Sequence, residues 1–214
     1  MSSSVKHFIL IDMEIELAPR RKTGRPLSFD RDQALHAAML TFWRHGYEST
    51  SIADLTAAMG ITPPSLYAAF GDKKRLFRET VALYLSGEPP EAAIAAAPSA
   101  RAAAERLLTA SAEGVTGETT PTGCLLATSA LSCSAAAADV QAEIAGIRHG
   151  IEAALRKRIQ TDIDGGALPL DTDADALAGH MMAMTQGLST LARDGASREK
   201  LLRVAAQAMK VWPG

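Results

Sequence analysis

A run of helix-capping residues between Ser51 and Lys73 constrains the fold of this 214-residue chain more than any other feature. Ser51, with Asp54 three residues later, is typical of a capping box at a helix start. Gly60 is typical of a helix that ends in a left-handed residue. Thr62 can then cap a second helix, whose first turn accommodates the two prolines that follow. The pattern predicts two short helices joined by a tight turn.

Apolar side chains recur at helical spacing within both predicted helices. Ile52, Leu55 and Met59 share one face of the first helix, and Leu66 and Phe70 share one face of the second. Such a pair predicts a helix-turn-helix, which lays its second helix in the DNA major groove. A generic helical hairpin is the alternative, because capping residues and Gly-Pro punctuation are common in helical proteins.

The N-terminal part of the chain is basic and the remainder is acidic. Residues 19–86 hold ten Lys or Arg and six Asp or Glu, a net charge of +4. Because the whole chain has a formal charge of −2, the remainder carries −6. This distribution favours phosphate contact through one domain only, with chance asymmetry as the alternative explanation.

Several stretches resemble the N-terminal domain of the tetracycline-repressor (TetR/AcrR) family. They are residues 46–55, residues 59–73 and Leu76-Phe77, with Gly24-Arg25-Pro26 and Phe42-Trp43 upstream. Together they cover about residues 20–85, and the remainder matches the family only in layout. The resemblance implies an all-α homodimer with a three-helix DNA-binding domain and a multi-helix C-terminal sensing domain. It also implies repression of transcription that a small molecule releases.

Breaks in the helical pattern divide the chain into three expected segments. Residues 1–19 are expected to be a loosely ordered extension, in which Met13 is an alternative start. Residues 20–86 form the expected DNA-binding domain. The stretch 86–99 contains a glycine and three prolines, which predicts a loop or broken segment at the domain boundary. Residues 87–214 then form the expected ligand-sensing and dimerisation domain.

Helical periodicity continues through both expected domains, and no strand alternation of useful length is present. Asp30 and Gln33 fit a capping box at the start of a helix that braces the helix-turn-helix. The further predicted helices cover residues 73–86, 100–116, 124–134, 138–164, 173–193 and 197–212.

The predicted contacts with double-stranded operator DNA fall into three groups. The resemblance places the N-terminal end of the second helix against base edges and assigns phosphate contacts to a tyrosine and a lysine beyond it. The start of the first helix is another phosphate site, and a basic arm ahead of the domain fits a minor groove, or is a plain solvated tail. The groups are Thr62, Pro63, Pro64, Ser65, Tyr67 and Lys73; Thr50 and Ser51; and Arg20, Arg21, Lys22 and Arg25.

An effector pocket is expected among the helices that follow the helix-turn-helix, because such pockets are mostly apolar with a few polar groups. Each candidate lining residue is also compatible with ordinary core. The candidates are Phe77, Tyr84, Cys124, Leu125, Met181 and Met184.

The last two predicted helices carry long faces of small and apolar residues. In the family, the equivalent pair from each subunit forms a four-helix dimer interface, whereas an intramolecular core is the alternative. The sequence does not divide the following residues between the two: Ala178, Met181, Leu188, Leu201, Val204 and Ala208.

The two cysteines, Cys124 and Cys133, form no C-x-x-C motif, so no zinc ribbon or redox pair is indicated. Reduced thiols of a cytoplasmic protein are the simplest interpretation. A soft-metal or electrophile site that also uses His149 or His180 is the alternative. No apolar stretch approaches the about 18–20 residues that span a bilayer, so no membrane partner is predicted.

Neither a cofactor nor an enzymatic activity is predicted. No Ser/His/Asp order, paired carboxylates or phosphate-binding glycine loop stands out, and the five histidines fit no H-x-x-x-H spacing. The leading hypothesis is a ligand-responsive, dimeric DNA-binding regulator. The alternative is a helical ligand-binding or adaptor protein whose helix-turn-helix contacts protein, and the basic arm, Tyr67 and Lys73 favour DNA.

Overall fold

A computed structural model describes residues 29–117 and 119–213. Within those ranges the secondary structure is helical and contains no strand, which confirms the all-α class. The helices are α1 (Arg31–His45), α2 (Ile52–Met59), α3 (Pro63–Phe70), α4 (Lys73–Tyr84), α5 (Pro90–Ala96), α6 (Ala100–Gly114), α7 (Leu125–Thr128), α8 (Ala138–Asp164), α9 (Ala174–Arg193) and α10 (Arg198–Ala208), with 3₁₀ turns at Ala135–Ala137 and Met209–Val211.

The capping residues of the helix-turn-helix behave as the sequence predicts. Ser51 and Asp54 form a reciprocal capping box at the start of α2. Gly60 ends that helix in the left-handed region with φ of 65°. The side chains of Thr62 and Asp72 cap α3 and α4. Local chemistry therefore determines the bounds of all three helices.

The core of the DNA-binding helices extends beyond the predicted boundary at residue 86. The rings of Phe42 and Phe77 pack edge to face, with centroids 5.0 Å apart, at the junction of α1 and α4. Leu125 of α7 and Val140 and Ile144 of α8 complete the same apolar cluster. The first four helices are thus packed firmly against the rest of the chain.

A second apolar cluster lies between α6, α8, α9 and α10. Leu155 and Ile159 of α8 pack there with Met181 of α9 and Leu201 of α10, and all four are almost fully buried. The long helix α8 therefore supplies its first turns to one core and its later turns to the other.

The predicted helix over 124–134 is only partly correct. The structure has a single turn, α7, followed by an irregular stretch. Arg148 donates to the carbonyl oxygen of Leu126 at 2.6 Å, and the N–H of Tyr47 donates to the carbonyl oxygen of Ser129 at 2.7 Å. These tertiary partners take carbonyl groups that a longer helix would use.

The predicted loop at 86–99 contains the short helix α5. Pro90 occupies its first turn, where a missing N–H has no cost, and Ile94 is 3% exposed in the second apolar cluster. Tertiary burial of Ile94 thus stabilises a helix that the proline-rich sequence did not suggest.

Candidate nucleic-acid interface

One face of α3 is anchored in the core and the opposite face is open to solvent. Leu66 and Phe70 are 0% and 1% exposed, whereas the Tyr67 side chain is 49% exposed. The predicted base-contacting residues lie at the open N-terminal end of the helix, and Ser65 alone among them is half-buried: Thr62, Pro63, Pro64 and Ser65.

The two hydroxyl groups at this end are already bonded to each other. The oxygens of Thr62 and Ser65 lie 3.0 Å apart, and Thr62 also accepts from the backbone N–H of Ser65 at 3.4 Å. One hydroxyl hydrogen stays available for a base edge. Hydroxyl groups contact any base, so the direct readout offered here has little sequence discrimination.

Lys73, at the first position of α4, is held by neutral groups. Its Nζ lies 4.4 Å from the centroid of the Tyr47 ring and donates to the carbonyl oxygen of Glu48 at 3.4 Å. Burial lowers the pKa of Lys73, and the Glu48 carboxylate opposes that shift. Because no carboxylate of residues 29–117 or 119–213 binds the ammonium directly, its charge is available to a phosphate.

The start of α2 offers Ser51 but not Thr50. Ser51 is exposed, and its hydroxyl donates to Asp54 at 2.6 Å, a bond that lowers the pKa of Asp54. Thr50 is 1% exposed, and its hydroxyl donates to the carbonyl oxygen of Gly46 at 2.6 Å. The Thr50 hydroxyl thus faces the end of α1 rather than solvent, and its predicted phosphate contact stays a prediction.

The predicted basic arm lies outside the described residues. It consists of Arg20, Arg21, Lys22 and Arg25.

The basic side chains at the start of α4 point in two directions. Lys74 bonds Asp139 at 2.7 Å, and Arg78 bonds Glu143 at 2.8 Å, so both bind α8. The exposed Arg75 instead folds its side chain over Gly71 and forms no ion pair with the part of the chain that the structure describes. Arg75, two residues after Lys73, was not among the sequence-predicted contacts, and the structure leaves it exposed beside the end of α3.

A polar link joins Tyr84 at the end of α4 to the loop before α7. The Tyr84 hydroxyl donates to Cys124 Sγ at 3.3 Å, and the Tyr84 and Trp43 rings pack edge to face at 5.0 Å. Burial raises the pKa of Tyr84 well above its ordinary value, and the neighbouring Cys124 adds to the effect.

The other predicted pocket residues do not gather around this pair. Leu125 and Met181 are both 0% exposed, but they lie in different apolar clusters. Met184 lines an outer groove of α9 and α10. Phe77 lines a groove between α4 and α8. The six residues thus do not enclose a single cavity.

The groove between α4 and α8 has a volume of about 280 Å³. Apart from the ion pair of Arg78 and Glu143, the walls of this groove are apolar. The lining residues are Phe77, Arg78, Val81, Ala82, Leu85, Glu143, Ile144 and Ile147.

The outer groove of α9 and α10 has a volume of about 430 Å³. The structure separates the residues that the sequence could not assign to the core or to the dimer interface. Leu188 and Leu201 are 1% and 0% exposed in the core of this chain, whereas Val204 lines the outer groove with Met184 and Val211. Val211 is 57% exposed.

Both cysteines, Cys124 and Cys133, are free thiols. Across residues 29–117 and 119–213, no group of three His, Cys, Asp or Glu side chains is placed to hold a metal ion. Over the same part of the chain, no helix has the length and apolar character needed to cross a membrane.

Two family models match the chain. "Bacterial regulatory proteins, tetR family" matches residues 34–80, which hold the helix-turn-helix, and "Tetracyclin repressor-like, C-terminal domain" matches residues 102–209. The chain belongs to the TetR family. It is a DNA-binding transcriptional regulator of the kind that acts as a dimer and responds to a small-molecule effector, as the resemblance implied.

Individual TetR-family relatives match over nearly the whole chain or over part of it. The HTH-type transcriptional repressor ComR of Escherichia coli K12 is 35% identical over 198 residues, covering 91% of this chain and 94% of ComR. BdcR, a repressor of the same organism, is 44% identical over 68 residues, 32% of this chain and 34% of BdcR. A cysteine mutant of the regulator CifR, solved in complex with 26-bp operator DNA, is 41% identical with a TM-score of 0.82, covering 89% of this chain and 100% of CifR.

Proposed function

We propose that this protein is a repressor whose dimer binds a near-palindromic operator and releases it when a small apolar molecule binds. The observation that carries the proposal is the Lys73 ammonium, held by neutral groups beside the open face of α3. The names of the relatives ComR and BdcR, both repressors, and the operator complex of CifR support it. A repressor acts on the chromosome, so we place the protein in the bacterial cytoplasm.

On the DNA, the open end of α3 enters the major groove, where its two prolines present apolar surface to a thymine methyl. Tyr67 and Lys73 contact phosphates on either side of that groove, and Arg75 adds a third phosphate contact. Since these contacts are largely to phosphate, affinity depends steeply on salt concentration.

The outer groove of α9 and α10 is the surface on which a second copy docks. It runs over both helices and is lined by Met184 and Val204, which are half-buried against the chain's own core, and by Val211, which is 57% exposed. A two-fold axis through this surface makes the interface self-complementary and pairs two α3 helices with two half-sites.

The groove between α4 and α8 is the proposed effector site. Its two charged lining residues, Arg78 and Glu143, already neutralise each other. A neutral apolar molecule can therefore enter without leaving a charge unpaired. Such a molecule would separate α4 from α8, and because Lys73 begins α4, the phosphate contact would move with the helix.

A binding assay on the DNA upstream of the protein's own gene tests the repressor proposal. We expect a shifted complex whose stability falls steeply between about 50 mM and about 200 mM salt, while a scrambled duplex binds far more weakly. Equal affinity for the two duplexes, together with a shallow salt dependence, would contradict the proposal.

A further inference from the structure

The guanidinium group of Arg193, at the C-terminal end of α9, joins that helix to the DNA-binding helices. Its Nη2 donates to the carbonyl oxygen of Arg44 at 2.6 Å, and its Nη1 donates to the hydroxyl of Thr128 at 2.6 Å. Arg44 lies in the last turn of α1, where carbonyl groups lack partners within the helix and a cation suits the dipole. Arg193 therefore caps a helix 149 residues away in the sequence.

The loop before α7 is shaped to receive this side chain. Gly123 has φ of +89°, and a Cβ added there would lie 2.9 Å from Cγ of Arg193. The Ser189 hydroxyl accepts from the N–H of Cys124 at 2.8 Å, and the Gly123 carbonyl accepts from Trp43 Nε1 at 3.0 Å. Polar contacts thus run without a break from α9 through the loop to α1.

The same contacts reach the proposed phosphate contact. Soon after Arg44, the chain turns through Tyr47 and Glu48, which hold the Lys73 ammonium at 4.4 Å and 3.4 Å. The N–H of Tyr47 is itself bonded to Ser129 in the loop before α8. The support of Lys73 therefore lies within the DNA-binding helices, and a reorientation of those helices about Arg193 would carry Lys73 and its support together.

Helix α9 also carries part of the proposed dimer surface, at His180 and Met184. One helix therefore links that surface to the end of α1. In a dimer, the orientation of each DNA-binding domain relative to the dimer surface sets the distance between the two α3 helices. We propose that Arg193 is a positioning residue that fixes this orientation and so determines which half-site spacing the dimer reads. This inference rests on the proposed binding of an operator by a dimer.

Two substitutions at Arg193 and one matched control separate positioning from simple loss of charge. Arg193→Gln removes the charge and the forked pair of bonds. Arg193→Lys keeps the charge, but a single ammonium lacks the fork that reaches both acceptors. The control is Arg198→Gln, because Arg198 is exposed and pairs with Glu113 of α6 at 3.2 Å, within the C-terminal helices.

The experiment uses the full chain and an operator that the parent protein selects from a random duplex library. Fluorescence anisotropy then measures binding to that operator, to versions with one or two base pairs added or removed between the half-sites, and to a single half-site. For Arg193→Gln and Arg193→Lys, we expect about a tenfold loss on the selected spacing and a flattened preference among spacings. Half-site affinity, and every value for Arg198→Gln, should match the parent.

Two outcomes would overturn the positioning role. One is an unchanged spacing preference in both Arg193 variants. The other is an equal loss on the half-site and the full operator, which would place Arg193 at the DNA or in the stability of the fold. If the parent protein selects no duplex at all, the proposed function fails and the positioning role fails with it. A parent that selects a duplex, with Arg193 variants that keep its spacing preference, overturns the positioning role alone.

Discussion

The Nζ atom of Lys73 lies 4.4 Å from the centroid of the Tyr47 ring. Tyr47 is 5% exposed and packs against Phe77 in the core, so the ring is a fixed platform. An aromatic face attracts the ammonium without neutralising it, in contrast to a carboxylate. The ring therefore orders the lysine side chain before DNA arrives and reduces the entropy lost on binding.

Removing this ammonium should weaken binding to every duplex by about the same factor. Lys73→Ala eliminates one phosphate contact, so the slope of log affinity against log salt should become shallower by about one unit. Tyr67→Phe should cost about 1 kcal/mol, the net value of one hydrogen bond. Anisotropy titrations at several salt concentrations measure both effects.

Lys157→Ala provides the matched control for the Lys73 variant, because Lys157 is an exposed lysine of α8. It should bind DNA as the parent does. A Lys73→Ala protein with the parent's slope would show that Lys73 contacts no phosphate.

The helix-turn-helix could be predicted closely because its boundaries depend on nearby residues. Ser51, Gly60 and Thr62 each act on backbone groups within a few positions, and such chemistry is visible in the sequence. The end of α7 could not be predicted, since Tyr47 and Arg148 determine it from distant parts of the chain.

A charge on the outer groove of α9 and α10 should separate the dimer. Val204→Glu places a carboxylate where the partner copy docks, and an unpaired buried charge is costly. We expect a monomer of normal thermal stability that has lost tight operator binding but retains weak half-site binding. Light scattering and anisotropy measure these properties, and an intact Val204→Glu dimer would move the interface elsewhere.

Leu188→Glu should behave differently, although sequence alone makes it an equally good interface candidate. Leu188 is 1% exposed within the chain's own core, so the carboxylate should unfold the protein rather than produce a folded monomer. The sequence could not distinguish Leu188 from Val204, because the division depends on how α6 and α8 pack beneath α9.

Asp162 should be among the most sensitive polar residues for stability. It is 8% exposed, pairs with Arg158 and accepts from the N–H of Ala100 at 2.7 Å. Asp162→Ala leaves both donors without their partner, and we expect a loss of about 3 kcal/mol in the free energy of unfolding. Denaturant titration measures the loss. In the exposed pair with Arg101, Glu105→Ala should cost about 0.5 kcal/mol or less, and equal losses would contradict the prediction.

The ion pairs between α4 and α8 should weaken in acid. Hydrogen bonds from Lys74 and Arg78 hold the pKa values of Asp139 and Glu143 below their ordinary values of 3.8 and 4.5. A carboxylate with a lowered folded-state pKa contributes stability above its unfolded pKa, and the contribution is lost as pH falls through the folded pKa. Glu143→Gln should therefore lower Tm at neutral pH, and the difference from the parent should close as pH falls below these values. A difference that persists unchanged in acid would exclude the mechanism.

The candidate effector residues are the part of the site that the sequence could not assign to a groove or to the core. Tyr84 and Cys124 were both predicted to line the pocket, but their hydrogen bond and the groove at Phe77 depend on how the helices pack. Side-chain types alone do not distinguish a groove wall from a filled core, and Met181 is an example of the latter.

Filling the groove between α4 and α8 should uncouple the effector from the DNA. Ala82 is an exposed lining residue, and Ala82→Trp would place an indole in the groove. With the neutral fluorophore N-phenyl-1-naphthylamine as probe, we expect binding to the parent protein, and binding weakened by operator DNA. Linkage requires the probe to weaken operator binding by the same factor, about 5- to 150-fold for a typical coupling of about 1–3 kcal/mol. Ala82→Trp should bind operator as the parent does but lose the probe. Ala95→Trp, at an exposed position of α5 outside the groove, should retain both activities. Equal probe affinity with and without operator would remove the groove from the release mechanism, because a ligand that binds both conformations equally shifts neither.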